Sequence, residues 1–216
     1  MTSSAEAGSF GSLRQRMVDH DLHGRGISDE RVLQAMLRLP RHEFVPEAYR
    51  TQAYEDHPLP IGEGQTISQP YIVAIMLEAL ALRPTDTVLE VGAGSGYAAA
   101  LLAELTARVV AVERSALLAA GATQTLSRLG YKNVNVVVGD GSQGFASGAP
   151  YDAILVSAAA HAVPQALLSQ LREVGGRMII PVGPAESQQL QLIQMQAGRA
   201  VVTFCGACRF VPLVSG

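Results

Sequence analysis

Three glycines at alternate positions follow an apolar segment near the middle of the chain. Residues 88–91 form that segment, Gly92, Gly94 and Gly96 come next, and helix-forming residues follow. Glycine adopts positive φ angles and lets a ligand approach the main chain closely, and the first turn of a helix directs free N–H groups at that ligand. The pattern predicts a turn that binds a nucleotide. A glycine-rich turn without a ligand is the alternative.

The spacing of the glycines discriminates between nucleotides. A dinucleotide fingerprint, G-x-G-x-x-G/A, needs a small third residue, but counting from Gly92 places Tyr97 there. The form G-x-G-x-G with an acid on each side, Glu90 before and Glu113 after, suits a single adenosine with a short charged tail, as in S-adenosylmethionine. Glu113 ends a second apolar segment, and its carboxylate can accept both hydroxyls of a ribose. No G-x-x-x-x-G-K-[ST] motif is present, which argues against phosphoryl transfer from ATP.

Two further polar candidates follow apolar segments. Asp140 and Gly141 come after residues 134–138, so Asp140 could accept a hydrogen bond from the amino group of adenine while Gly141 leaves room for the ring. Asp-Gly is also a favoured turn dipeptide, and an ordinary turn therefore stays open. His161 follows a later segment, where a lone loop histidine is more often a surface residue than a base.

A loop rich in glycine and proline, residues 54–70, carries Asp56, His57 and Ser68. Ser68 could be the N-cap of a helix over 69–82, whose first turn contains a proline. A capping loop also places its hydroxyl and N–H groups where an anion would settle, so capping and function are compatible. A Ser-His-Asp hydrolase is a third interpretation, although no G-x-S-x-G elbow surrounds any serine.

The two cysteines, Cys205 and Cys208, form C-G-A-C among strand-forming residues. This motif lacks the second ligand pair of a zinc site and does not begin a helix as in thioredoxin-like proteins. We therefore expect incidental thiols that flank a turn or bulge at Gly206, and no metal site.

The order of elements predicts an α/β fold: a doubly wound, mostly parallel, Rossmann-like sheet with an N-terminal helical addition and a C-terminal antiparallel strand pair. Such a sheet binds its ligand at the carboxyl ends of its strands. The expected strands are 87–91, 108–113, 134–139, 152–157 and 177–182, followed by an antiparallel pair at 190–196 and 200–211. The expected helices are 29–39, 69–82, about 95–105, 115–129 and 163–173.

Composition indicates a globular enzyme of 216 residues, 48% hydrophobic and 16% charged, with a formal charge of −3. Acids balance the arginines of the first fifty residues, so no basic surface for nucleic acid is expected. Because no apolar run approaches the length of a membrane span and the start lacks a signal-peptide pattern, we expect a cytoplasmic protein without membrane contact. We divide the chain into an N-terminal helical segment with the active-site loop, 1–80, packed on a cofactor-binding core, 81–216.

Longer motifs surround the candidate residues: P-R-H-E-F-V-P at 40–46, Y-E-D-H-P-L-P-I-G at 54–62, G-Q-T-I-S-Q-P at 64–70, V-L-E-V-G-A-G-S-G-Y at 88–97, V-E-R at 112–114, G-D-G at 139–141 and P-V-G at 181–183. Together they resemble the protein-L-isoaspartate O-methyltransferase family over about residues 16–213. The glycine turn fits any methyltransferase that uses S-adenosylmethionine, whereas G-Q-T-I-S-Q-P combined with Y-x-D-x-P-L-P-I-G is specific to this family.

The resemblance implies methyl transfer from S-adenosyl-L-methionine to the free α-carboxylate of L-isoaspartyl residues in damaged proteins and peptides. The methyl ester closes to a succinimide, whose hydrolysis returns part of the material to aspartate. Ser68 matches the active-site serine, and we expect a monomer. The expected cofactor contacts are Gln65, Thr66, Ile67, Ser68, Gly92, Ala93, Gly94, Ser95, Glu113, Arg114, Asp140 and Gly141.

Two other functions compete with this one. A methyltransferase that acts on a small acid would differ only in the acceptor pocket, and a sensor of S-adenosylmethionine would bind the cofactor without transferring its methyl group. Residues 54–69 favour the isoaspartyl acceptor through the family resemblance alone, because the residue types by themselves do not identify the acceptor.

Overall fold

A seven-stranded, mostly parallel sheet forms the centre of the protein in a computed structural model that describes residues 3–215. The strands are β1 Leu59–Gly62, β2 Gln65–Ile67, β3 Thr87–Val91, β4 Arg108–Glu113, β5 Val134–Val138, β6 Ala153–Val156, β7 Arg177–Val182, β8 Gln188–Gln196 and β9 Arg199–Cys208. The α-helices are α1 Ser3–Arg16, α2 Glu30–Arg38, α3 Pro70–Leu80, α4 Tyr97–Leu105, α5 Ala116–Arg128 and α6 Gln165–Leu168.

The strand order in the main sheet is β5-β4-β3-β6-β7-β8-β9. The first five of these strands are parallel, while β8 and β9 pair antiparallel to their neighbours. The chain runs outwards from β3 to β5 and then returns to place β6 beside β3. Ligands bind at such a change of direction, outside the carboxyl ends of the strands. The expected doubly wound fold with an antiparallel C-terminal pair is confirmed.

Burial explains why β3 and β6 lie at the centre. Ala153–Val156 is buried at every position, as a parallel strand covered on both faces must be. Residues of the N-terminal segment, including Met17, Leu39 and Tyr54, belong to the same hydrophobic cluster as Val88 of β3. The N-terminal segment therefore packs directly on a face of the sheet.

Two expected elements end three or more residues before the sequence pattern indicates. The helix expected at 163–173 is limited to Gln165–Leu168, because Leu171 leaves the helical path to form a bridge with Tyr151. Strand β9 ends at Cys208 rather than 211. Beyond this end, a hydrogen bond from the backbone to the side chain of Gln188 replaces the pairing between strands. Gln188 Oε1 accepts from the Phe210 N–H at 2.6 Å.

The expected bulge near Gly206 is confirmed. Leu190 pairs with Gly206, but the next residue, Gln191, pairs with Phe204, which leaves Cys205 as the extra residue of β9. Both cysteines are free thiols, and burial raises their pKa values, that of Cys208 to about 11. No helix within residues 3–215 is long and apolar enough to cross a bilayer.

Candidate active site

A cavity of about 650 Å³ lies at the carboxyl ends of β3 and β4, where the strand order changes direction. We call residues 90–98 and 112–117 its cofactor wall and residues 65–68 its acceptor wall. All the expected cofactor contacts except Asp140 line this cavity: Gln65, Thr66, Ile67, Ser68, Gly92, Ala93, Gly94, Ser95, Glu113, Arg114 and Gly141. The fold thus brings together residues that the sequence separates by more than seventy positions.

The glycine turn of the cofactor wall requires glycine for its backbone. Gly92, Gly94 and Gly96 have φ angles of 86°, 53° and 86°, a region that side chains disfavour. Gly96 precedes the first residue of α4, so the helix begins at Tyr97 rather than near 95. A Cβ on Gly94 would come within 3.2 Å of Ile61 Cδ1, because β1 packs over the turn.

Glu113, at the end of β4, connects the parts of the cofactor wall. Its Oε2 accepts a hydrogen bond from the Gly94 N–H at 2.8 Å, and its Oε1 accepts one from the Ser115 N–H at 2.9 Å. Each carboxylate oxygen has a second lone pair, so Glu113 can hold the turn and still accept hydroxyl groups of a ligand.

Glu90 is the acid that the set of expected contacts left out. It is fully buried within β3, it lines the cavity, and neither of its oxygens has a hydrogen-bond partner in the described part of the chain. Burial first, and the charge of Glu113 second, raise the pKa of Glu90 well above its usual range. An isolated buried carboxyl group is costly unless a ligand pairs with it. Its position inside an apolar strand, just before the glycines, was the signal in the sequence.

Gly141 and Asp140 follow β5 in different roles. A Cβ on Gly141 would lie 2.6 Å from Val91 Cγ1, so only glycine fits at this edge of the cavity. Asp140 begins a short 3-10 turn, where its Oδ1 accepts from the N–H and the hydroxyl of Ser142 at 2.9 and 2.7 Å. Asp140 thus begins a turn and does not line the cavity, and its contact with adenine stays a prediction.

Ser68 does not cap α3, which corrects that interpretation. The N-cap is Gln69, and a distant residue satisfies the helix start: Asp56 Oδ1 accepts from the Tyr71 N–H at 3.1 Å. Asp56 Oδ2 accepts from Gln69 Nε2 at 2.6 Å and pairs with Arg25. The Ser68 hydroxyl has no hydrogen-bond partner among the described residues, and Ser68 lines the cavity.

The hydrolase interpretation fails on geometry. His57 Nε2 lies 2.9 Å from Glu55 Oε2, and His57 Nδ1 lies 3.0 Å from the Pro58 carbonyl oxygen, so the ring contacts neither Ser68 nor Asp56. The hydrogen bond with the Pro58 carbonyl, and to a smaller extent that with Glu55, raises the pKa of His57. His161 is exposed and lies outside the residues that line the cavity. Among the side chains that the structure describes, at residues 10–215, no group of three or more His, Cys, Asp or Glu is arranged for a metal.

The C-terminal residues 211–214 form a further side of the cavity, although they are not among the expected cofactor contacts. Their backbone is held by Ala159, which donates to the Val211 carbonyl at 2.8 Å and accepts from the Leu213 N–H at 2.8 Å. Arg114 Nη1 also donates to the Val214 carbonyl at 3.4 Å. Two stretches about fifty residues apart thus meet at the cavity, a pairing without a local sequence signal.

The residues present fit S-adenosylmethionine: a glycine cradle, an acceptor for ribose at Glu113, and an unpaired buried acid at Glu90 suited to a cationic tail. Fold and site together define a Rossmann-like methyltransferase that uses S-adenosylmethionine. A family model described as Protein-L-isoaspartate(D-aspartate) O-methyltransferase (PCMT) matches residues 13–216. The chain belongs to this family, which confirms the resemblance of its motifs.

The similarity to known proteins extends over nearly the whole chain. It is 56% identical over 214 residues to the Protein-L-isoaspartate O-methyltransferase of Koribacter versatilis, covering 99% of this chain and 96% of that relative. The corresponding protein of Methanoculleus marisnigri is 55% identical, with 93% and 91% covered. A solved Plasmodium falciparum protein-L-isoaspartate O-methyltransferase, in complex with S-adenosyl-L-homocysteine, is 27% identical with a TM-score of 0.80, covering 95% of this chain and 98% of that one.

Proposed function

We propose that this cavity methylates the α-carboxylate of L-isoaspartyl residues in damaged proteins and peptides, with Ser68 positioning the acceptor. The reaction class follows from family membership, and the resulting ester closes to a succinimide that returns in part to aspartate. The observation that supports the role of Ser68 is its unpaired hydroxyl, on a residue that lines the same cavity as the glycine turn.

We assign cofactor binding to the cofactor wall together with residues on its borders. When bound, S-adenosylmethionine supplies a sulfonium methyl group that a carboxylate can attack. Glu113 accepts hydroxyl groups of the ribose, the N–H groups at the start of α4 approach the negative end of the cofactor, and Gly141 leaves space for the base. The remaining assigned contacts are Gln65, Thr66, Ile67, Ser68, Gly92, Ala93, Gly94, Ser95, Arg114 and Asp140.

The acceptor needs no general base. An α-carboxylate has a reference pKa of about 3.5 and is ionised at neutral pH. The protein must orient it and exclude water, because attack on a sulfonium cancels two charges and is favoured in a poorly solvated site. The Ser68 hydroxyl can donate a hydrogen bond that orients the carboxylate without neutralising it. Val73 and Met76 of α3 supply apolar walls to the same cavity.

Radiolabelled methyl transfer to two peptides of one sequence, one isoaspartyl and one aspartyl, tests this function. We expect methylation of the isoaspartyl peptide and none of its aspartyl twin. Equal rates on both peptides would contradict the acceptor assignment, and transfer to a small carboxylic acid instead would favour the small-acid methyltransferase. Cofactor binding in calorimetry without any transfer would identify a sensor.

We also propose that the chain acts as a cytoplasmic monomer that does not bind nucleic acid. The free thiols of Cys205 and Cys208 suit a reducing compartment. We keep the division of the chain into an N-terminal segment, 1–80, which carries the acceptor wall, and a core, 81–216, which carries the glycine turn. Positions 1, 2 and 216 of these ranges lie outside the described residues. Light scattering coupled to size-exclusion chromatography measures the molar mass in solution and so tests the proposed monomer.

A further inference from the structure

Arg41 is a fully buried cation beside the acceptor wall. It begins a 3-10 turn after α2 and has no accessible surface. Its Nε donates to the Ala53 carbonyl at 2.8 Å, and its Nη2 donates to the Ser68 carbonyl at 2.7 Å. One guanidinium therefore joins the two ends of the segment 53–68, which carries the acceptor wall.

No carboxylate in the described part of the chain forms a salt bridge with Arg41. Its Nη1 is buried and without a hydrogen-bond partner, and its Cζ lies 4.7 Å from the centroid of the Tyr97 ring. Asp56 acts on Arg41 through its charge, but its oxygens are engaged by Arg25, Gln69 and Tyr71. Buried charges in proteins are normally paired, because removing an ion from water is costly.

Arg177 shows how this protein treats a buried arginine with a structural role. It is 8% exposed and its Nε donates to the Leu80 carbonyl at 2.6 Å, as Arg41 donates to carbonyl groups. Unlike Arg41, it forms an ion pair with a buried acid, Asp86. Arg177 has an anion as its partner, and Arg41 has none among the described residues. Arg41 is also the arginine that holds Ser68, which lines the cavity.

We propose that Arg41 is a positioning residue for the acceptor: it fixes Ser68 through its carbonyl, and its positive charge, which no described carboxylate pairs directly, selects a ligand that brings a carboxylate to Ser68. This inference rests on the proposed role of Ser68. Arg41 does not line the cavity, so it acts through the Ser68 backbone and through its electric field. Burial strengthens that field because little water screens it.

The test separates charge from orientation. Calorimetry measures the binding of an isoaspartyl peptide and of its neutral α-carboxamide analogue to protein saturated with S-adenosyl-L-homocysteine. We expect the wild-type protein to prefer the carboxylate. Arg41→Gln lowers this preference about tenfold, the effect of removing one poorly screened charge. Arg41→Lys keeps the preference to within about threefold, but its kcat falls about tenfold, because an ammonium group does not reproduce the two-pronged hydrogen bonding.

Arg177→Gln is the matched control, since it also removes a buried arginine that holds carbonyl groups. We expect it to lower the melting temperature and leave the preference for the carboxylate unchanged. If Arg41→Gln keeps the wild-type preference for the carboxylate, the proposed role of Arg41 is overturned. The same holds if Arg177→Gln loses this preference to an equal extent. Neither result affects the proposed acceptor. If Arg41→Gln does not fold, wild-type kcat in Arg41→Lys still overturns it. A wild-type protein that binds both peptides equally overturns the proposed acceptor and this inference with it.

Discussion

The cofactor wall and the acceptor wall of the cavity are held in different ways. In the cofactor wall, the ends of two neighbouring parallel strands hold each other: the turn follows β3 directly, and Glu113, at the end of β4, binds the N–H groups of Gly94 and Ser115. In the acceptor wall, Ser68 depends on turn and loop residues outside the main sheet, since Arg41 holds its carbonyl and Asp56 binds its neighbour Gln69. A nucleotide site can therefore be encoded by a short motif, whereas the acceptor site depends on tertiary contacts.

The largest expected effect is a loss of activity on substitution of Ser68, which belongs to the acceptor wall and not to the cofactor wall. Ser68→Ala should lower kcat/KM about 10- to 100-fold, the loss of one hydrogen bond to a charged group of about 1.5–3 kcal/mol. The melting temperature should stay unchanged because no cap is lost. Ser68→Asp should fold and remain inactive, since a second carboxylate repels the substrate. Turnover at saturating cofactor and thermal unfolding measure both effects.

Ser115→Ala is the contrast for that result. Ser115 is a true N-cap whose Oγ accepts from the Leu118 N–H at 3.3 Å, so its loss should cost about 0.5–2 kcal/mol of stability. A Ser68→Ala protein with full turnover and a similar loss of stability would show that Ser68 is structural after all.

Glu113→Ala tests the cofactor wall. The change leaves ribose hydroxyl groups and two backbone N–H groups without an acceptor, so cofactor binding should weaken by about 1–3 kcal/mol. Glu113→Gln retains one acceptor oxygen and should lose less affinity. Calorimetry with S-adenosyl-L-homocysteine measures the change, and unchanged affinity in a folded alanine variant would place the ribose contact elsewhere.

Asp56→Ala tests the remote support of the acceptor wall. It removes the cap of α3 and the partners of Arg25 and Gln69, so the free energy of unfolding should fall by about 0.5–2 kcal/mol. The KM for the isoaspartyl peptide should rise while the affinity for the cofactor is retained. Equal losses for peptide and cofactor would mean that the two walls are not held independently.

Glu90→Gln has the smallest expected effect, a gain in stability of the cofactor-free protein. Because the folded-state pKa of Glu90 is raised, the folded state keeps a proton that the unfolded chain loses, and stability falls as pH rises from the unfolded pKa through the folded one. The variant lacks this fall. We expect its melting temperature to be roughly 2–4 °C higher at neutral pH, the size of a gain of about 1 kcal/mol.

That gain should vanish at about pH 3, below the pKa of a glutamate in the unfolded chain, where Glu90 is protonated in both states of the wild-type protein. The same variant should bind the cofactor more weakly, because it no longer offers a negative charge to a cationic tail. A variant that is less stable than the wild-type protein at neutral pH would show that Glu90 has an unseen partner in the cofactor-free protein.

Sequence patterns predicted elements whose signals are continuous along the chain. The bounds of β3, β4 and β7 agree with the expected strands, because buried parallel strands have near-continuous apolar residues. The helix at 163–173 was wrong over most of its length, since its periodicity did not reveal that Leu171 pairs with Tyr151. Tertiary pairing overrode the local preference there.

The amino-acid sequence by itself determined the glycine turn, the acid that ends β4 and the order of elements, because each depends on residues that are neighbours in the chain. Only the tertiary structure decided that Asp56 rather than Ser68 satisfies the start of α3, that Glu90 has no partner among the described residues, and that Arg41 is buried without an anion. The physical reason is that capping from a distance, desolvation and ion pairing depend on which side chains folding brings together, and residue spacing along the chain does not specify those contacts.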